Sequence, residues 1–276
     1  MAGKAIVTWM PKGGTGKTAT AVTFSHGLQR LGKRVLLVDL DMQNHATMGC
    51  GVDQLTVEYA VKHFLMEPGR PFKPIEIAPG FDLVPGSMES ATLDIEARHL
   101  ASLYGGLFVV RHARDRVLDR YDYVIFDCSP HPGDVTMNAL AAGPVLAPVD
   151  MTRVGVSSVA ILLDALSFLR KGIAPHAGVA AYLPARVPAT ARREFDEAMG
   201  LLRKYAADTT PILKNYIPEA THMAQALGSG QSIFSEEFVK VSKAPAAYAA
   251  AIDEFLPHLD AYYGAAPSGA AKLAAI

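Results

Sequence analysis

Seven short runs of β-branched and aliphatic residues punctuate the chain: AIVTW from residue 5, then RVLLVDLD, FDLVPG, YDYVIFDCSP, PVLAPVD, GVAAYLP and PILKNYIP. They are largely apolar at consecutive positions instead of alternating. That is the pattern of strands covered on both faces, and the segments between them are long enough for crossover helices. The first such segment, TATAVTFSHGLQRL (18–31), places Val22, Leu28 and Leu31 along one helical face and is followed by Gly32, a stop signal. This order predicts an α/β fold, a twisted, mostly parallel sheet with helices on both faces.

Between the first strand and the first helix lies PKGGTGKT, residues 11–18. Gly13, Gly14 and Gly16 permit backbone conformations closed to other residues, so successive N–H groups can turn inward around phosphate oxygens at a helix N-terminus. The expected nucleotide contacts run through Gly13, Gly14, Thr15, Gly16, Lys17, Thr18 and Ala19, with Lys17 on the β- and γ-phosphates and the Thr18 hydroxyl on Mg²⁺. The common pattern G-x-x-x-x-G-K-[ST] needs a glycine at position 11, where this chain has Pro11 followed by Lys12. Lys17 already serves the phosphates from within the loop. A second lysine on the outer arm is placed to reach a nucleotide held by a second copy of the chain.

Two apolar strands end in carboxylates. Asp39 and Asp41 fall on the same side of their strand, beyond the carboxyl edge where ligands of such folds bind. Asp127 reaches the same edge, as an aspartate holding Mg²⁺ through water should. His131 reads as a polar loop residue, since phosphoryl transfer needs no imidazole.

KGGTGKT resembles the deviant Walker A motif of the ParA/MinD/nitrogenase-iron-protein class of P-loop ATPases. The resemblance implies that Lys12 crosses the interface of an ATP-sandwich homodimer to the partner's phosphates. DLDMQNHAT is similar to the ParA switch I run D-x-D-P-Q-G-N-A-T, which implies that Asp41 positions the attacking water and Asp39 supports the magnesium shell. Met42, Asn44 and His45 stand where the family has Pro, Gly and Asn. VIFDCSPHPG resembles the Walker B run I-I-D-C-P-P-S-L-G, with Ser129 and His131 as departures. Looser likeness covers DLVPGSMESATLDIEARHL, PVDMTRVGVSSVAILLDAL and KNYIPEATHMAQALGSGQSIF, the last of which places Pro218 near the adenine.

The function implied is that of a slow, Mg²⁺-dependent ATPase. As an ATP-bound dimer it binds DNA nonspecifically and positions a plasmid, chromosome region or protein cargo. A partner protein, ParB-like or a cargo adaptor, stimulates hydrolysis and release. Two alternatives stay open: a MinD-like membrane-associated ATPase, and a switch acting on protein partners only. Glu219 and His222 replace two family arginines that contribute to DNA binding. Candidates for compensating phosphate contacts are Arg192 with Arg193, Arg203 with Lys204, and Lys240 with Lys243. The C-terminal YYGAAPSGAAKLAAI lacks the basic and bulky-apolar pattern of an interfacial helix, which counts against a membrane role. Cys50 and Cys128 do not match the cluster-ligand motifs of the iron protein, so electron donation is set aside.

Charge narrows the picture further. With 26 Lys and Arg against 27 Asp and Glu, no general field drives the chain onto nucleic acid or lipid, so DNA binding requires a local patch or the pooled charge of two copies. Two cysteines without metal-ligand spacing point to a reducing compartment and inert thiols. With no signal peptide and no apolar run of roughly 18 residues, the expected location is the cytoplasm, in association with the nucleoid. One ATPase domain is expected over residues 1–262, with a flexible Ala/Gly-rich tail over 263–276.

Overall fold

The computed structural model describes residues 3–104, 109–188, 190, 192–207 and 209–265. Among them the strands are β1 (Lys4–Thr8), β2 (Val35–Leu40), β3 (Ile75–Ala78), β4 (Phe81–Val84), β5 (Tyr123–Cys128), β6 (Val145–Asp150) and β7 (Val179–Ala185). They form one sheet in the order β3-β4-β2-β5-β1-β6-β7, parallel throughout except for the β3–β4 pair. The helices are α1 (Lys17–Arg30), α2 (His45–Gly49), α3 (Val61–Met66), α4 (Leu93–Tyr104), α5 (Val109–Asp115) and α6 (Asp134–Ala142), then α7 (Arg153–Ser157), α8 (Val159–Lys171), α9 (Arg192–Ala206), α10 (Thr221–Gly228), α11 (Glu236–Val241) and α12 (Ala244–Ala265).

Strand alternation divides the core in two. Val7, Leu36, Val38, Val124 and Phe126 face a layer that includes α6, α8 and α9, whereas Ile6, Val35, Leu37, Phe81 and Ile125 face α1 and α12. Each of these ten strand residues is fully buried, which is why the runs read as continuously apolar. The expected two-sided sheet is therefore present.

Local expectations differ at three places. β3 was not expected: its IEIA sequence is half-exposed on the antiparallel edge and carries a glutamate, so it lacks the apolar run of its neighbours. PILKNYIP is not a strand of the sheet. It meets β7 through an isolated bridge at Ile212 and the residue Val187 past β7 through one at Pro218, and between them the N–H groups of Lys214 and Asn215 turn to the Glu254 carboxylate. Leu31 is half-exposed at the C-cap of α1, because the helix ends at Arg30 before that position returns to the core.

The last helix also closes the sheet. β6 begins too late to pair with Ala5, and the Tyr263 hydroxyl takes its place, accepting from the Ala5 N–H at 2.9 Å and donating to the Ala5 carbonyl at 3.0 Å. Residues 263–265 thus continue α12, and residues 266–276 of the expected tail lie outside the described residues.

Candidate nucleotide site

β1 runs directly into the glycine loop and α1 follows it. Gly14 and Gly16 have φ of 73° and 93°, the left-handed region that a Cβ disfavours, so the loop can wrap instead of extending the strand. Thr15 is fully buried and its hydroxyl has no partner within the protein. Lys17 is buried under the loop, where its ammonium donates to the Lys12 carbonyl at 2.8 Å. Burial pushes the Lys17 pKa down, opposed by the charges of Asp127 and Asp41.

The sheet register sets the carboxylates beside this loop. Thr8 of β1 lies level with Asp127 of β5, which lies level with Asp39 of β2. Asp39 is fully engaged: one oxygen accepts from the Asp41 N–H, and the other accepts from the N–H and hydroxyl of Thr47, at 2.8 and 2.6 Å. Asp127 is also fully buried, yet its Oδ2 has no partner. Burial raises the pKa of both groups; the charge of Asp41 adds to the shift of Asp39, and the charges of Asp39 and Asp41 add to that of Asp127. Asp41 accepts from the Gln43 N–H through Oδ1, and its Oδ2 lies 4.0 Å from the His45 ring. Asp127 and Asp41 act on one buried ammonium with Asp39 beside them, a grouping of carboxylates that suits a further cation.

A divalent magnesium ion fits this donor set. Among the described residues no three His, Cys, Asp or Glu side chains form a metal cage, and Mg²⁺ in phosphate sites is characteristically held by one or two protein oxygens, water and phosphate. The orphaned Asp127 oxygen and the Thr18 hydroxyl, which contacts Asp127, are the groups that would hold it. Asp39 stands behind them with its oxygens already bonded.

Lys12 lies outside that cluster. Its ammonium is 2.7 Å from Asp150 Oδ2 at the end of β6, and Asp150 also accepts from the Thr152 hydroxyl. Two residues that sequence reasoning missed therefore belong here. Asp150 ends an apolar strand at the carboxyl edge, the same signal that singled out Asp39 and Asp127. Arg186, just past β7, has a φ of 53°, donates to the Gly14 carbonyl at 2.9 Å and pairs with Glu219 at 3.0 Å. Pro218 is bridged to Val187, the residue after Arg186.

The basic candidates do not converge. Arg192, Arg193 and Lys240 each face a carboxylate one helical turn away, Asp196, Glu197 and Glu236. On α9, Arg193 and Arg203 are separated by roughly 15 Å of helix axis. Arg203 lines a cavity of about 670 Å³ with Lys214 and His258, whereas Lys204 lines another of about 580 Å³ with Arg153, Glu194 and Glu197. Lys243 is exposed just ahead of α12. His131 is exposed, its N–H directed to the Ser129 hydroxyl at 3.4 Å.

A parallel sheet whose first strand feeds a glycine loop with Lys17 and Thr18, and whose neighbouring strand presents Asp127, defines a P-loop nucleoside triphosphatase. Comparisons refine the class. The family model described as AAA domain matches residues 3–177. The sporulation initiation inhibitor protein Soj of Bacillus subtilis is 30% identical over 234 residues, 84% of this chain and 90% of its own length. The chromosome-partitioning ATPase Soj of Thermus thermophilus is 40% identical over 167 residues, 59% of this chain and 61% of its own. Apo McdA of Cyanothece shares the fold with a TM-score of 0.78 at 21% identity, over 93% of this chain and 99% of that one. Cobyrinic acid a,c-diamide synthase of Mycobacterium smegmatis, solved with an ATP analog and magnesium, shares it with a TM-score of 0.75 at 24% identity, over 93% and 95%. The chain belongs to the ParA/MinD-type P-loop ATPases, a family of partition and positioning ATPases.

Proposed function

We propose that the chain is an ATP-driven switch that forms a homodimer around ATP, binds DNA nonspecifically in that state to position a plasmid, chromosome region or protein cargo, and lets go when a partner protein stimulates hydrolysis. The observation that carries this reading is the division between the two loop lysines. Lys17 is buried in its own loop, whereas Lys12 is held at the rim by Asp150, free to exchange that carboxylate for phosphate on a second copy. Bound Mg²⁺ would neutralise phosphate charge between Thr18 and Asp127. Asp41, with Oδ1 fixed by the Gln43 N–H, keeps Oδ2 for orienting water, and Asp39 braces the cluster through Thr47. Arg186 and Pro218 line the rim where the base enters.

A second reading, a switch acting on protein partners alone, draws support from charge cancellation. Glu219 is paired with Arg186, and three of the basic candidates are paired on their own helices. Binding of the Asp41→Ala protein to random-sequence duplex DNA, with ATP and with ADP across a salt series, separates the two. The expected result is ATP-dependent binding that weakens steeply as salt rises, because each phosphate contact releases counterions. Indifference to DNA in both nucleotide states moves the function to protein partners, and pelleting with anionic liposomes tests the membrane alternative.

A further inference from the structure

The two segments that leave the carboxylate-bearing strands β2 and β5 are tied to one stretch of chain, residues 86–98, which supplies none of the carboxylates. At its start, the Gly86 N–H donates at 2.8 Å to the Thr47 hydroxyl that itself donates to Asp39. Asn44 donates from its side chain to the Ser87 carbonyl at 2.9 Å. The approach leaves no room for a side chain, since a Cβ on Gly86 would fall 1.9 Å from Asn44 Oδ1. Ser87 then caps a 3₁₀ turn, Met88–Thr92, by accepting from the Glu89 N–H, and that turn runs without a break into α4.

At its other end the same stretch holds the start of α6, the helix that follows Asp127 and its loop. Asp94 Oδ1 accepts from the Val135 N–H at 2.8 Å, and a Cβ on Gly133 would meet the Asp94 carboxylate at 2.2 Å. Arg98 pairs with Asp134 at 2.7 Å. Buried Ser90, Leu93 and Ala97 fasten the stretch to the protein between the two ends, so it can act as a rigid piece. The Arg98 side chain is 75% exposed, so its ion pair is worth little. Asp94 instead places a charge on the unpaired N–H groups of a helix start, a stronger and more directional contact.

We infer that residues 86–98 form a strap between the segments that follow β2 and β5, and that Asp94 is a positioning residue that sets the start of α6 according to the state of the segment from Asp39 through Asn44 to Thr47. A shift of Thr47 moves Gly86, the turn carries the movement to Asp94, and Asp94 carries it to Val135. The trigger rests on the nucleotide reading above, whereas the mechanical link exists without nucleotide and can be tested alone.

Hydrogen–deuterium exchange of the full chain tests it with Thr47→Val, Asp94→Ala and Asp94→Asn, each with and without MgATP, nucleotide binding being measured separately with a fluorescent ATP analogue. The hydrogen bonds of Thr47 run to Asp39 and Gly86, and none reaches α6. The strap predicts that Thr47→Val without nucleotide speeds exchange of the amides at 135–138 by about tenfold, that Asp94→Ala abolishes their protection by ATP while protection at 44–48 remains, and that Asp94→Asn, which keeps an acceptor, stays within about twofold of wild type. The inference is overturned if Thr47→Val leaves 135–138 unchanged and Asp94→Ala speeds their exchange equally in both states, since Asp94 is then only a helix cap. Should the chain bind no ATP, the nucleotide reading fails, and the nucleotide-free Thr47→Val comparison still decides for or against the strap.

Discussion

Lys12 and Lys17 have the same chemistry and opposite surroundings, and at the scale of single residues those surroundings are what matter. Another such residue is His26 of α1, whose ring lies edge-on to Phe81 at 4.9 Å between helix and sheet. Burial lowers its pKa to about 4. In the unfolded chain it binds a proton below about pH 6.5, whereas the folded chain does not until about pH 4. The unfolded state therefore holds more protons in this window, and stability falls as pH falls. Between pH 7 and pH 5 the loss attributable to His26 is about 2 kcal/mol. Asp39 and Asp127, raised on folding, work in the opposite sense, so the measurement is a difference: urea unfolding of wild type and His26→Gln at both pH values. A wild-type loss no larger than the variant's would show that His26 is not held neutral. Residues of this kind were legible unevenly. Lys12, Lys17, Asp39, Asp41 and Asp127 stood out because loop spacing and strand ends announce them. Arg186 and Asp150 sit at strand ends too, but their partners, Gly14 and Lys12, lie far away in the chain and only the sheet brings them together.

At the scale of elements, the strands at the centre of the sheet were readable because burial on both faces demands uninterrupted apolar residues. β3 and residues 211–218 were misread for one reason: at an edge the chain needs neither two apolar faces nor a full ladder, so composition and pairing come apart. The docking of α12 was also hidden, because its YYG sequence reads as the start of a tail when nothing indicates that Ala5 lacks a strand partner on its β6 side. That gap gives a test. Ala5 is 1% exposed, and Tyr263→Phe leaves both its N–H and its carbonyl without a partner. The expected cost is about 1–3 kcal/mol in chemical unfolding, with little change in overall secondary structure. A loss below about 0.5 kcal/mol would mean that water satisfies Ala5 equally well and that α12 does not complete the sheet.

At the scale of the whole molecule, the question is how a near-neutral protomer becomes a switch. Lys12 must leave Asp150 before it can serve a second copy. The Lys12 side chain is 31% exposed while Asp150 is buried, so the pair is only partly screened, and in the proposed dimer a charge-assisted bond to phosphate must replace it. In the proposed dimer, losing Lys12 removes the charge that joins the two sites. Light scattering during size exclusion, run with saturating MgATP, should accordingly give Lys12→Ala the mass of one protomer while it still binds nucleotide. Asp41→Ala should give the mass of two and hold it for as long as ATP is present, because in the proposed cycle assembly needs only binding, whereas disassembly needs a water oriented by Asp41. A Lys12→Ala protein that dimerises as wild type does would remove that lysine from the interface. Turnover of Asp41→Ala at the wild-type rate would take the catalytic role away from Asp41 and leave it as part of the negative cluster that draws the cation.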